Sequence, residues 1–399
     1  MKNFPRALVL GGFVTAMPLL RAVYAPIPDQ DQGKDLTVNV KAAISYDSNL
    51  FGSAHGAVDS MIYSLSPRVI YNRSLTDQTF FSAGYGLTID HFDNRPGDKT
   101  LDSHDATLRL AHAFNKSTTI DVNEMYMISR NPESLLPGVA GADPRVLNPD
   151  QSFNRNQLDG RFTTPLNAKA STTVKARSVY FDYRNAVLGR SLDRIENLYG
   201  VAGDYAILPE FKAVAEYRHQ DVYYSKQGEI KNKRSEYLMG GVDYAIARKL
   251  SLSSRVGVEW RERAAERDVT APFAEFSAKY DYTEKSFFVA GFGYNLEETS
   301  DTARFNDTKA KRIFVNVQHS LTALIVASGS ATYEPSTLQA RRGFSNIDEN
   351  TVRLGGALSY LPTKNWILTV SGDYDRTKSD DAVRNLKRKR AAISATYTF

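Results

Sequence analysis

Residues 250–260 alternate with period two. Leu250, Leu252, Val256, Val258 and Trp260 share one parity with Ser254, while Ser251, Ser253, Arg255, Gly257, Glu259 and Arg261 take the other. That period places the two sets on opposite faces of a strand. Residues 288–296 repeat the pattern, with Phe288, Ala290, Phe292, Tyr294 and Leu296 opposite Gly291, Gly293 and Asn295. Residues 352–360 repeat it again, with Val352, Leu354, Leu358 and Tyr360 opposite Arg353, Gly355, Ala357 and Ser359. Such segments are about ten residues long, the length of a tilted strand that crosses a bilayer.

The connections restrict the architecture further. Eight short polar links fall at 75–77, 115–117, 166–168, 208–210, 247–249, 283–285, 321–323 and 362–364. Longer polar loops lie between them, at 93–101, 131–153, 184–194, 225–234, 299–309, 335–350 and 378–387. Strict alternation of short and long connections is the asymmetry of outer-membrane barrels, with short turns periplasmic and long loops extracellular. A soluble propeller repeats at a similar length but lacks this alternation. The prediction is an all-β fold: a single antiparallel transmembrane β-barrel of about 18 strands, with about 16 as the alternative because 131–200 is poorly patterned.

Aromatic residues gather in two belts, as expected where amphipathic rings meet the two headgroup layers. Phe114, Tyr205, Phe211, Tyr244, Tyr360 and Trp366 flank short turns, and Tyr126, Tyr180, Trp260, Tyr333 and Tyr374 sit toward the long loops. The chain starts with Lys2 and Arg6, an apolar stretch over 7–20 and a small-x-small site at Val23-Tyr24-Ala25. This predicts a signal peptide at 1–25, then a short periplasmic segment at 26–35 and the barrel at 36–399. The chain ends on alternating Ile393, Ala395, Tyr397 and Phe399. Tyr397 and Phe399 resemble the terminal signal read by barrel-assembly machinery. The expected location is the cell outer membrane, with the lipid bilayer and that machinery as partners.

If the apolar parity meets lipid, the other lines the lumen. Its basic members are Arg68, Arg109, Arg161, Lys175, Arg177, Arg218, Arg255, Arg261, Arg312, Arg353 and Arg390, with Lys41, Lys212 and Lys279. Its acidic members are Asp105, Asp159, Glu216, Glu259, Glu275, Asp281 and Asp373. On the lipid face an Arg or Lys near midplane costs about 2–4 kcal/mol, which enforces this placement. A barrel of this size leaves room for an aqueous channel, and a basic excess on its wall predicts passage of anionic solutes. The alternative is a structural or surface-interaction barrel whose lumen is occluded. Loop 131–153, rich in Pro and Gly, is the candidate to fold inward.

Other chemistry finds little support. The chain has no cysteine, which excludes thiolate catalysis and cysteine-held metals. Its six histidines lack metal-ligand spacing, and no phosphate loop or nucleophile elbow is present. We therefore expect no enzyme, no cofactor and no metal. A serine hydrolase of the barrel type would need a residue such as Ser251 or Ser253 to meet a histidine. The net charge of +5 is dispersed, and the one dense basic run, Lys387-Arg388-Lys389-Arg390, enters a strand-like segment. That argues against nucleic acid as a partner.

Residues 43–51 read Ala-Ile-Ser-Tyr-Asp-Ser-Asn-Leu-Phe. Tyr46, Asp47, Asn49, Leu50 and Phe51, followed by Ser66-Pro67, resemble the start of the outer-membrane β-barrel porin family often found with exopolysaccharide and capsule gene clusters (the beta-barrel porin 2 type). The resemblance implies an outer-membrane, porin-like protein that assists polysaccharide export. Asp47 and Asn49 are expected to cap backbone groups where the chain leaves the first strand, as Asx residues do.

Overall fold

The computed structural model describes residues 35–129, 153–246, 249–283, 285–299 and 301–399. The expected signal peptide and all but the last residue of loop 131–153 lie outside them. The strands in chain order are Leu36–Asp47 (β1), Ser60–Thr76 (β2), Thr79–Phe92 (β3), Thr100–Ala113 (β4), Thr119–Ser129 (β5), Phe153–Pro165 (β6), Ala170–Tyr183 (β7), Arg194–Leu208 (β8) and Phe211–Tyr224 (β9). They continue as Lys233–Ile246 (β10), Leu250–Arg263 (β11), Val269–Thr283 (β12), Ser286–Glu298 (β13), Phe305–Ser320 (β14), Ile325–Ala340 (β15), Ile347–Tyr360 (β16), Trp366–Ser379 (β17) and Leu386–Thr398 (β18). Short helices Ala186–Leu192 (α1) and Gly228–Lys231 (α2) sit in long loops.

Each strand pairs antiparallel with the next, and β18 pairs back onto β1 from Asn39↔Thr398 to Asp47↔Arg390. The sheet is a closed 18-stranded barrel, so no edge is left to template aggregation. The 16-strand alternative fails because β6, β7 and β8 are all regular strands within the weakly patterned region.

Polarity is reversed relative to a soluble protein. Ile393 is 66% exposed and Val256 58%, while Glu216 and Glu259 are fully enclosed. Apolar side chains face outward where lipid solvates them, and polar ones face inward. Both aromatic belts are on the outside: Phe114, Tyr205, Tyr360 and Trp366 at the short-turn end, Tyr126, Tyr180, Trp260 and Tyr333 toward the loops. Several strands outrun their expected limits. β2 continues to Thr76, β14 begins at Phe305 and β15 reaches Ala340. Backbone pairing does not stop where the lipid does, and beyond it the outward residues are free to be polar. Those extensions therefore read as loop in the sequence.

Candidate functional site

Above Tyr294 the β13–β14 hairpin separates from β12 but stays paired with β15, up to Phe305↔Ala340. β12 stops pairing with β13 at Ala274↔Tyr294, although it pairs with β11 as far as Arg261↔Val269. β13 and β14 stay paired up to Glu298↔Asp307. Above Tyr294, Leu296, Glu297, Glu298, Phe305, Asn306, Asp307 and Thr308 are all buried, whatever their parity. A strand pair with one face outward would expose one parity, so this tip leans into the mouth of the barrel.

Charge holds it there. Glu298 accepts from Lys233 Nζ at 2.7 Å and from the Tyr224 hydroxyl at 2.6 Å. Asp307 accepts from Arg261 at 2.6 Å, lies 2.9 Å from Lys233 Nζ and also pairs with Arg263. Arg261 is held in turn by Glu259 at 2.8 Å. Buried charges are tolerated only when paired and hydrogen-bonded, and here two hairpin carboxylates meet three wall cations.

A cavity of about 500 Å³ lies beside this hairpin, lined by Leu296, Glu297 and Glu298 and by residues of β4 to β12. It brings together Arg109, Arg161, Lys175, Arg177, Arg218 and Arg261 of the expected lumen set. Arg68, Arg255, Arg312, Arg353 and Arg390 are not part of its lining. Most of these cations are engaged. Arg109 pairs with Asp121 at 2.7 Å, Arg177 with Asp159 at 2.5 Å, and Glu216 takes both Lys175 at 2.9 Å and Arg218 at 2.8 Å. Elsewhere Arg68 pairs with Asp105 at 3.2 Å, Arg255 with Asp243 at 2.9 Å and Arg390 with Asp375 at 3.0 Å. Arg312 bridges Glu297 at 3.1 Å and Glu334 at 2.6 Å, and Arg353 is 4.0 Å from Glu334.

The cavity lining holds seven cations and seven carboxylates, so the basic excess expected from strand parity is not carried into it. Asp121, Glu196, Glu297 and Glu298, which lie outside the expected acidic set, supply the difference. The signs are unevenly spread: β4 to β7 supply five cations against Asp121 and Asp159, while β12 and β13 supply Glu275, Glu297 and Glu298.

Arg155 is absent from the expected set but lines the cavity. It is 3% exposed, and among the described residues its Nε and Nη1 have no hydrogen-bond partner. Its third nitrogen donates to Gln157, and its guanidinium lies 5.5 Å from the Phe181 ring centre. Arg194 covers the same ring at 4.2 Å. Arg155 was hard to find because residues 154–157 are uniformly polar and hide the alternation. Lys233 and Asp307 were missed because they fall in segments that read as loop.

Extracellular loops interlock above the hairpin. Lys231 Nζ donates to the carbonyls of Arg190 and Ser191 at the end of α1, both at 3.3 Å, and burial pushes this amine below its ordinary range. Thr302 donates to Ser191 O at 3.2 Å, and Arg341 donates to Thr302 O at 2.8 Å and Ile230 O at 3.0 Å. Arg304 donates to Asp381 at 2.8 Å, and this bond holds the Asp381 carboxyl below the usual carboxylate range.

The residues of the family motif are adjacent at the barrel seam. Asp47 Oδ1 accepts from Asn49 N at 2.9 Å, and Asn49 caps Ser53 N at 3.0 Å while donating to Ser53 O at 2.9 Å. Leu50 and Phe51 pack with Ile62, Phe92 and Leu101. Tyr46 faces outward and donates to Asp59 at 3.1 Å. Asp47 also receives Arg388 of β18 at 2.8 Å, both side chains being fully buried. At the other end of the seam Phe399 N donates to Val38 O at 2.9 Å, and Tyr397 contacts Trp366 and Phe399. Ser253 gives its hydroxyl to Asp243 at 2.8 Å.

No family model and no curated protein matches this sequence. Solved structures do match. Acinetobacter baumannii OccAB4 aligns with a TM-score of 0.50 and 10% identity over 92% of this chain and 100% of that one. The outer membrane protein opdK from Pseudomonas aeruginosa aligns at 0.50 and 10%, over 92% and 99%. A BenF-like porin from Pseudomonas fluorescens Pf-5 aligns at 0.50 and 12%, over 92% and 99%. The chain has the fold of these outer-membrane barrels.

Proposed function

We propose that this protein is a passive channel of the outer membrane that passes small anionic solutes, with anionic saccharides and exopolysaccharide fragments as the class the family resemblance adds. Arg155 is the observation that carries the reading. Two of its guanidinium nitrogens have no hydrogen-bond partner among the described residues, and buried donors left unsatisfied are costly. A carboxylate or phosphate on a passing solute supplies the acceptors. Glu297 and Glu298 are held by Arg312 and Lys233, and most other lining cations are held by carboxylates, so Arg155 supplies the donors open to a solute.

Reversal potentials in a salt gradient across a planar bilayer test this. The intact barrel is expected to prefer chloride over potassium, and Arg155→Gln to reduce that preference by about fivefold, the effect of one charge worth about 1 kcal/mol in a water-filled pore. An unchanged ratio would remove Arg155 from the selectivity. The interlocked outer loops favour a second reading, an occluded barrel whose loops bind polysaccharide. Deleting 131–153 separates the two: a rise in conductance supports a loop-covered pore, and lost polysaccharide binding without any pore supports the occluded barrel.

A further inference from the structure

The strand splits the basic run 387–390 between two faces. Arg388 and Arg390 point inward, to Asp47 and Asp375. Lys387 and Lys389 are exposed on the outer face, and Arg376 and Lys378 of β17 are exposed beside them. The register sets Arg376 directly opposite Lys387, and like charges in that position repel. Among the described residues, none of these four cations makes an ion pair. Elsewhere on the outer rim, charges satisfy one another: His219 lies between Glu236 at 2.7 Å and Asp221 at 2.9 Å, and Arg234 reaches Asp221 at 3.2 Å.

Their height is set by the strands. On β17 the outward series runs Trp366, Leu368, Val370, Gly372, Tyr374 and then Arg376; on β18 it runs Tyr397, Ala395, Ile393, Ala391 and then Lys389 and Lys387. Trp366 and Tyr397 are in contact at the short-turn end, 4.9 Å between ring centres. Ten residues of tilted strand climb about 25 Å, the height of the apolar band. The cations therefore stand just above the apolar band on the long-loop side, with stems long enough to lie along apolar surface while their heads reach polar groups.

We propose that Arg376, Lys378, Lys387 and Lys389 bind the phosphate of an anionic lipid headgroup in the outer leaflet. The phosphate relieves a repulsion that no described carboxylate relieves. The inference rests on the outer-membrane reading, which insertion of the barrel into phosphatidylcholine bilayers tests by itself. For the lipid site, the barrel is reconstituted in nanodiscs of phosphatidylcholine with a minority of phosphatidylglycerol, and retained lipid is counted by native mass spectrometry after mild detergent. The wild type is expected to retain phosphatidylglycerol at least about tenfold over its share of the mixture. The combined variant R376Q/K378Q/K387Q/K389Q is expected to lose that preference and keep its conductance, since none of the four lines the lumen cavity. Arg234→Gln, on the far rim, is expected to keep it. Equal retention by the fourfold variant, loss in Arg234→Gln, or displacement of the lipid by inorganic phosphate alone overturns the proposal.

Discussion

Replacing Asp47 with leucine is expected to lower the unfolding free energy of the barrel by about 3–5 kcal/mol, the cost of breaking a buried ion pair from one side. Asp47 and Arg388 are both 0% exposed and join β1 to β18 where the wall closes. Without the carboxylate, Arg388 loses its buried ion pair across the seam. Asn49 also loses the acceptor for its backbone N–H, so the turn out of β1 loosens with the seam. The double variant Asp47→Leu/Arg388→Met is expected to recover most of the loss, because an apolar pair of similar volume carries no desolvation penalty. Urea unfolding in phospholipid vesicles, followed by tryptophan fluorescence, measures both. A single variant within about 1 kcal/mol of wild type would show that the pair does not hold the seam.

Removing the charge of Asp307 is expected to open the channel as well as weaken the barrel. Asp307→Asn keeps the shape of the hairpin tip and leaves Lys233, Arg261 and Arg263 facing a neutral group. Glu298 and Glu259 are left against three cations, and the tip is held less tightly to β10 and β11. We expect a stability loss of about 3–5 kcal/mol together with a larger single-channel conductance, because the hairpin narrows the mouth only while docked. If stability falls with no change in conductance, the hairpin does not limit the pore. If neither changes, the charge cluster does not anchor it.

How much of this was legible depends on what each segment must satisfy. Lipid imposes one apolar face on every spanning strand, so the alternation in 250–260 and 352–360 survives in the sequence and the short turns number the strands. The motif at 46–51 was readable for a similar reason, since Asp47 and Asn49 act on backbone groups a few residues away. Interior chemistry obeys no such local rule. Whether Arg261 faces open water or a hairpin carboxylate depends on Asp307, 46 positions along the chain. The partner of Asp47 is 341 positions away. At strand tops the outward residues no longer meet lipid, so Lys233 and Asp307 fall in segments that read as polar loop, and nothing in the pattern marks Glu298 as buried. Parity assigns the lumen cations to a face, but their partners cannot be read from it.

Planar-bilayer recording of the refolded barrel tests the central claim most directly. A channel narrowed by the 296–308 hairpin and bordered by Arg155 is expected to give discrete ohmic steps, with a reversal potential on the anion side. Folded barrels that insert stably and give no steps, with the loops both intact and shortened, would contradict it.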